Sequence, residues 1–307
     1  MSLALDTTAS TTTRTDWVAL IRELGPRFAE RSAEHDATDT FVAENYRELK
    51  THGVFAAGVP AELGGGGATH AELCAMVRAL APYCASTALA LAMHTHAVAM
   101  PAWRWRRDPQ PVEKLLRRVA AERLVLVSSG GSDWIYGSAS AEKVDGGWRI
   151  KGRKIFASGV PGGDLLMTGA IYDDPQAGPT VLHFGLPLKA EGVRILDTWR
   201  VMGMRGTGSH DVELDGAFIP EAAIAARRPQ GKWHPLYHTI TMIAFPIIYA
   251  VYCGIAEGAR DRVVERARQR KPSADAVAVT GEMENALATA RLVTSNQRVS
   301  RNPSAGA

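Results

Sequence analysis

The sequence predicts an α+β multidomain protein, with an N-terminal α-helical domain, a middle β domain and a C-terminal helical bundle. Three observations predict it. Apolar residues recur at helical spacing from Asp16 to about Arg123. From Leu124 the texture changes to short alternating runs separated by turn formers. After Pro220 helical spacing returns. Runs of helices, strands and helices in succession point to separate layers, not to alternating β-α-β units. The expected boundaries are a disordered N-terminus over 1–15, helices over 16–123, strands over 124–230, a partial helical domain over 231–293 and an irregular tail over 294–307.

Trp17, Leu20, Ile21, Leu24 and Phe28 share one face of the first helix, and Phe41, Tyr46 and Leu49 share a face of the second. Asp16 and Asp39 precede these runs as expected N-caps. A glycine-rich loop over 59–67 follows, then helices over 69–81, 85–100 and 110–122. Strands are expected over 138–144 and 148–157, joined by a hairpin at Asp145-Gly146-Gly147. Further strands are expected over 165–172, 180–188, 193–199 and 211–219, and helices over 235–270 and 281–293. Trp134, Trp148 and Trp199 read as strand and hairpin packing residues. The Trp103-Arg104-Trp105-Arg106-Arg107 run reads as a basic helix C-terminus.

Composition narrows the function. Lys+Arg 35 against Asp+Glu 32, with no dense basic run, argues against a nucleic-acid partner. Cys74, Cys84 and Cys253 are scattered and odd in number, which suits reduced thiols and a cytoplasmic location. Neither a C-x-x-C nor a Cys/His spacing supports a metal site. The apolar stretch over 240–255 is shorter than the ~20 residues of a spanning helix and contains Pro246, so a buried core helix and no membrane contact are expected. Residues 203–208 approximate a dinucleotide-binding glycine pattern, but a strand follows where that pattern needs a helix.

Four segments resemble the acyl-CoA dehydrogenase superfamily. Residues 59–67 are similar to its V-P-x-E-x-G-G-x-G loop. Ser128-Ser129-Gly130-Gly131-Ser132-Asp133 is similar to its flavin loop, V-T-E-P-x-A-G-S-D, two residues shorter. Residues 147–159 resemble G-W-x-L-N-G-x-K-x-W-I-T-N-G, and residues 202–212 resemble the stretch near the acyl-thioester pocket. The resemblance covers roughly 17–293 and implies a middle β-barrel, bound FAD and α,β-dehydrogenation of an acyl-CoA, with hydride transfer to flavin. It further implies an electron-transfer flavoprotein as partner and a homo-oligomer, dimer or tetramer. A flavin ring is flat and apolar with polar edges, so its site must stack on a face and hydrogen-bond an edge. The resemblance assigns stacking to Phe156, where the family usually has Trp. It places Leu126, Ser128, Ser129, Ser132, Ala157 and Ser158 around the flavin, and Ser132 and Arg205 beside substrate.

The likeness breaks at the catalytic base. The dehydrogenation needs a Glu poised over the substrate. The register set by Gly254-Ile255-Ala256 puts Ala244 where some members carry it, and Glu257 lies in the packing segment. By this comparison the C-terminal helical bundle is incomplete. That departure opens a second expectation, the two-component flavin monooxygenases of the same superfamily, which take reduced FMN or FAD from a reductase. Their flavin segment resembles Phe156-Ala157-Ser158-Gly159. The resemblance gives a catalytic role to Ser158, whose hydroxyl steadies an oxygen adduct, and to His94 or His96, which moves protons near neutral pH. Two histidines two residues apart do not share a helix face, so at most one of them faces a pocket. A third expectation is a truncated, catalytically inactive protein of the same fold.

Overall fold

The computed structural model describes residues 14–269 and 273–295. The expected disordered start, up to residue 13, and the expected irregular tail, from residue 296, lie outside the described residues. Helix α1 (Trp17–Thr38) begins where the Asp16 carboxylate accepts from the backbone N–H of Ala19 at 3.0 Å. Asp39 does not cap the second helix. Its backbone is left-handed (φ 54°) and its N–H donates to the His35 carbonyl, which closes α1. Helix α2 (Ala43–Thr51) starts from Val42 without a side-chain cap. A capping box of Thr69 and Glu72 starts α3 (His70–Leu80). Helix α4 (Ala85–Trp105) runs through Pro101 and takes in the tryptophans of the basic run, and α5 (Glu113–Glu122) follows.

The β layer contains β1 (Leu126–Ser128), helix α6 (Gly131–Tyr136), β2 (Ala139–Val144), β3 (Gly147–Lys154), β4 (Leu165–Asp174), β5 (Gly178–Pro187), β6 (Val193–Ile195), β7 (Val212–Pro220) and β8 (Ile224–Pro229). Strands pair in the order β6-β7-β3-β2-β4-β5-β8, with β1 parallel to β4. The β2–β4 junction is a single residue pair, Ser140 with Ile171. Two half-sheets therefore fold about one core that holds Trp148, Ile150, Leu166, Leu182, Phe184, Leu214 and Ile219. The β2–β3 hairpin turns at Asp145-Gly146, as expected.

Three expectations change here. Strand β6 stops at Ile195, and residues 196–211 form a loop anchored by Leu196 N–H on the Asp211 carbonyl at 2.8 Å. Strand β8 and helix α6 were not legible, because one is partly polar and the other too short to show a period. Trp134 stands on α6, not on a strand, and stacks on His183 with ring centroids 5.3 Å apart.

Helix α7 (Pro235–Arg268) lies across α3 and α4, and α8 (Ala274–Ser295) packs on α7. A Cβ at Gly254 would stand 2.3 Å from the Arg78 carbonyl, so only glycine lets α7 and α3 approach this closely. The expected buried core helix is buried on one face; Met242, Phe245, Tyr249 and Tyr252 are exposed on α7. Helical and β layers are joined by polar contacts. Asp164 accepts from the Val125 N–H at 2.8 Å and from Lys50 Nζ at 3.3 Å, and the Val42 N–H donates to the Gly206 carbonyl at 3.2 Å.

Beneath α6 lies a buried ion pair. Lys154 is fully buried and donates to both Asp133 carboxylate oxygens at 3.0 Å and to the Gly169 carbonyl at 2.5 Å. Ser129 and Thr168 also donate to Asp133, at 2.5 and 3.0 Å. Burial pushes the Asp133 carboxyl up, but the Lys154 ammonium and the hydroxyl donors outweigh it and hold the group below its usual range. Lys154→Met leaves an uncompensated buried carboxylate, and a loss of about 3–5 kcal/mol is expected in urea unfolding at pH 7. Because the folded carboxyl titrates below the unfolded one, Asp133 contributes stability above the ordinary carboxylate range. Acid titration of the wild type should lose that contribution as pH falls below the ordinary carboxylate range and through the lower folded pKa, and Asp133→Asn should lack it.

Candidate functional site

The chain turns sharply after β3. The Gly130 N–H donates to the Ile155 carbonyl at 2.8 Å, which brings the serine/glycine loop against the turn over 155–159. Phe156 is left-handed (φ 55°), a conformation that costs a non-glycine residue roughly 1–2 kcal/mol. Three backbone bonds hold the turn: Ala157 N–H to the His210 carbonyl, Ser158 N–H to the Phe156 carbonyl and Gly159 N–H to the Thr207 carbonyl. The ring of Phe156 is 55% exposed. A strained backbone that presents a large apolar ring to solvent is a mark of a binding site. A Cβ at Gly130 would sit 3.3 Å from the Phe156 ring, so glycine there leaves open the space beside its face.

Trp199, on the loop over 196–211, meets Phe156 edge to face with centroids 6.0 Å apart. It is not a strand packing residue, and its buried indole N–H has no partner among the described residues. Sequence reasoning missed it because the strand was carried four residues too far. A flat apolar face, a close-lying backbone loop and an unpaired donor together suit a planar heteroaromatic ring with polar edges.

Ser158 is partly exposed at the same turn. Its hydroxyl shares a hydrogen bond with Ser209 at 2.8 Å, and Ser209 shares another with Thr207 at 2.8 Å. Ala157 beside it is fully buried in the β core. Ser128 is buried at the end of β1. The Ser129 hydroxyl bonds to Asp133 and Thr168. Ser132 lies in α6, and its side chain is outside the described residues. The Leu126 side chain is packed in the seam between layers.

The histidines stand on α4, whose Ala90 lies beside Gly159 of the turn. His94 Nε2 donates to the Phe55 carbonyl at 2.7 Å, and its Nδ1 accepts from the Leu126 N–H at 2.9 Å. Both ring nitrogens are occupied by backbone, and burial lowers the imidazole to about 4. These contacts hold the His94 ring in place between the Phe55 carbonyl and the Leu126 N–H. His96 Nδ1 lies 3.1 Å from the Ala92 carbonyl one turn back, and burial lowers its pKa as well. Neither histidine bonds to Ser158 among the described residues. Arg205 pairs with Asp39 at 3.5 Å, and its backbone N–H donates to Asp36 at 3.3 Å, so this arginine clamps the loop to the end of α1. The Arg205 Nε is buried and has no hydrogen-bond partner among the described residues.

Ala244 is buried on α7. Glu257 accepts from Arg78 Nε at 2.8 Å and from Arg291 Nε at 2.7 Å. Bonding to Arg78 holds its carboxyl below the usual range, so it is an ion-pair partner, not a base. A separate groove of about 1320 Å³ runs beside it between α1, α3, α7 and α8.

Residues 18–123 match the family described as "Acyl-CoA dehydrogenase, N-terminal domain". The chain is 29% identical over 84% of its length to the pigment production hydroxylase of a Rhodococcus species. It is 30% identical over 90% of its length to the Bacillus subtilis protein named "Putative acyl-CoA dehydrogenase YdbM". It is 29% identical over 89% of its length to the dibenzothiophene monooxygenase of Mycolicibacterium goodii. It spans 66%, 74% and 68% of these relatives' own lengths, respectively. Among solved structures, KijD3 in complex with FMN and a dTDP-amino-keto sugar superimposes with a TM-score of 0.78 at 26% identity, over 94% of this chain and 76% of that one.

The His94 contacts make a prediction about stability. Its folded pKa near 4 lies below the ordinary value of 6.5, so the unfolded chain binds more protons between the two. Unfolding free energy should fall as pH drops from 6.5 to 4, and His183, lowered to about 4 by burial, adds to the same slope. His94→Leu should flatten part of that slope. It should also cost about 2–4 kcal/mol at pH 7, since a buried N–H and a buried carbonyl lose their partner. Chemical denaturation at several pH values measures both.

Proposed function

The chain belongs to the acyl-CoA dehydrogenase superfamily, and on that premise we propose that it is a flavin-dependent monooxygenase that takes reduced FMN from a separate flavin reductase and oxidises a small-molecule substrate with dioxygen. The observation that carries this reading is the turn over 155–159, where one strained backbone presents an exposed aromatic face and a hydroxyl beside a glycine loop. The likeness to a protein named as a monooxygenase and to KijD3, solved with FMN, supports it.

In this reading Phe156 holds the apolar face of the ring, and Trp199 shields the edge of Phe156 from water. Ser158 offers its hydroxyl to a ring edge, and the Trp199 indole N–H is a further donor. Asp133 and Lys154 keep the loop over 128–133 in place beneath α6. A reduced flavin supplies the two electrons that let one oxygen atom enter the substrate while the other leaves as water.

A second reading is α,β-dehydrogenation of an acyl-CoA with FAD and an electron-transfer flavoprotein. The likeness to YdbM favours it. It requires a carboxylate over the substrate, and the position on α7 that the register assigns to that group holds Ala244.

Titration of the protein with oxidised and with reduced FMN, read by fluorescence and absorbance, tests the proposal. Phe156→Ala should weaken FMN binding about tenfold, equivalent to about 1.4 kcal/mol. Oxygen uptake that depends on added flavin reductase is the expected result. Anaerobic bleaching of bound flavin by an acyl-CoA would move the assignment to the second reading. Failure to bind FMN or FAD in either redox state would overturn both.

A further inference from the structure

His210 is bonded to both segments that carry the aromatic pair of the site. Its carbonyl accepts from the Ala157 N–H at 3.1 Å, next to Phe156. Its Nδ1 accepts from the backbone N–H groups of Thr198 and Trp199, each at 3.1 Å. The Thr198 N–H has a second acceptor in the Leu196 carbonyl at 3.1 Å, whereas the Trp199 N–H has no other acceptor among the described residues. The imidazole is 13% exposed. One residue thus ties the turn over 155–159 to the loop over 196–211, and with them the edge-to-face pair of Phe156 and Trp199. We infer that His210 is a positioning residue, whose neutral ring holds Trp199 against Phe156.

Its consequence for a ligand rests on the flavin reading above; the geometry does not. A ring nitrogen that accepts a hydrogen bond carries no proton, so the neutral ring has its proton on Nε2. Proton uptake at Nδ1 removes the lone pair that the two backbone N–H groups share, and sets N–H groups against one another. The charged groups around the ring come in pairs. Arg200 pairs with Asp197 at 2.9 Å on the same loop, and Arg153 of β3 pairs with Asp211, the residue after His210, at 2.7 Å. An oxygen of Asp197 lies 3.8 Å from Nδ1. A protonated Nδ1 therefore has an acceptor at hand in Asp197, in place of the backbone groups it no longer holds.

Burial lowers the His210 imidazole from its ordinary 6.5, against the pull of Asp197. The ring is harder to protonate with the loop docked than with it released, so docking is favoured at the higher pH. That contribution is whole above 6.5 and is lost as pH falls below 6.5 and through the lower docked value. His210→Asn keeps an acceptor oxygen where Nδ1 stands and takes up no proton in this range, so it should hold Trp199 at every pH. His210→Leu keeps apolar bulk without an acceptor, and should release Trp199 at every pH. Loss of this one hydrogen bond should speed exchange of the Trp199 amide roughly fivefold or more, after correction for intrinsic exchange at each pH.

Hydrogen exchange of the unliganded protein, resolved at residues 198 and 199, tests this without flavin, with circular dichroism as a check on folding. Protection of Trp199 should fall below pH 6.5 in the wild type, persist in His210→Asn and be absent in His210→Leu. Equal protection in the wild type and His210→Leu overturns the inference, and so does a fall at low pH in His210→Asn that matches the wild type. FMN titration reads the consequence for the ligand. His210→Leu should weaken FMN about as much as Trp199→Ala does, roughly fivefold, and the double variant should be no weaker than either single one. Additive losses overturn the inference and leave the flavin reading intact. A wild type that binds no FMN overturns the flavin reading, and the exchange result then decides the inference. If His210→Leu does not fold, the comparison of His210→Asn with the wild type across pH carries the test.

Discussion

The candidate site depends on a charge that never meets water. Lys154 ends β3 fully buried, and its ammonium is satisfied by Asp133 and by the Gly169 carbonyl. A buried charge without a partner is costly, so Lys154 fixes Asp133, and Asp133 in turn gathers Ser129, Ser138 and Thr168. This places α6 and the serine/glycine loop above β3 and β4. Two residues after Lys154 the chain reaches Phe156. The loop and the turn are thus neighbours because one ion pair ties them to the same strand end, and the Gly130 to Ile155 hydrogen bond closes the contact.

Much of this was legible in the sequence, and the reasons are local. Helical periods in α1, α3 and α7 are long enough to average out exceptions, and the Asp-Gly turn marks the β2–β3 hairpin. The adjacency of the segments around Ser128 and Phe156 came from motif resemblance, and the structure joins them directly. What the sequence hid was short or conformational. Helix α6 spans six residues, and β6 spans three before its chain leaves the sheet. The left-handed backbone of Phe156 carries no sequence signature, because the residue type argues against it.

Residue roles are less legible in a sequence than places, for one physical reason. A side chain's chemistry depends on which of its polar atoms are already engaged, and spacing along the chain does not reveal this. His94 has the residue type of a proton carrier, but two backbone groups hold both nitrogens and burial keeps it neutral. Glu257, expected in a packing segment, has its carboxylate held by two arginines. Arg205 has the type of an anion site, but Asp39 and Asp36 anchor its segment. Each of these groups does structural work at a junction: His94 between α4 and β1, Glu257 between α3, α7 and α8, and Arg205 between the loop over 196–211 and α1.

The polar groups at the Phe156 turn are neutral: hydroxyls at 158, 207 and 209, and an indole N–H at 199. Neutral donors and acceptors do not fix a single protonation state near pH 7, and they tolerate a ligand whose hydrogen-bonding edge changes with its redox state. A carboxylate or a histidinium at the same place would favour one charge on the ring and oppose the other. The ionised groups instead stand behind the site, as the Asp133–Lys154 pair, where they hold geometry without facing the ligand. A strained turn supported by buried charge and lined by neutral hydroxyls is an arrangement suited to holding one flat ring with polar edges.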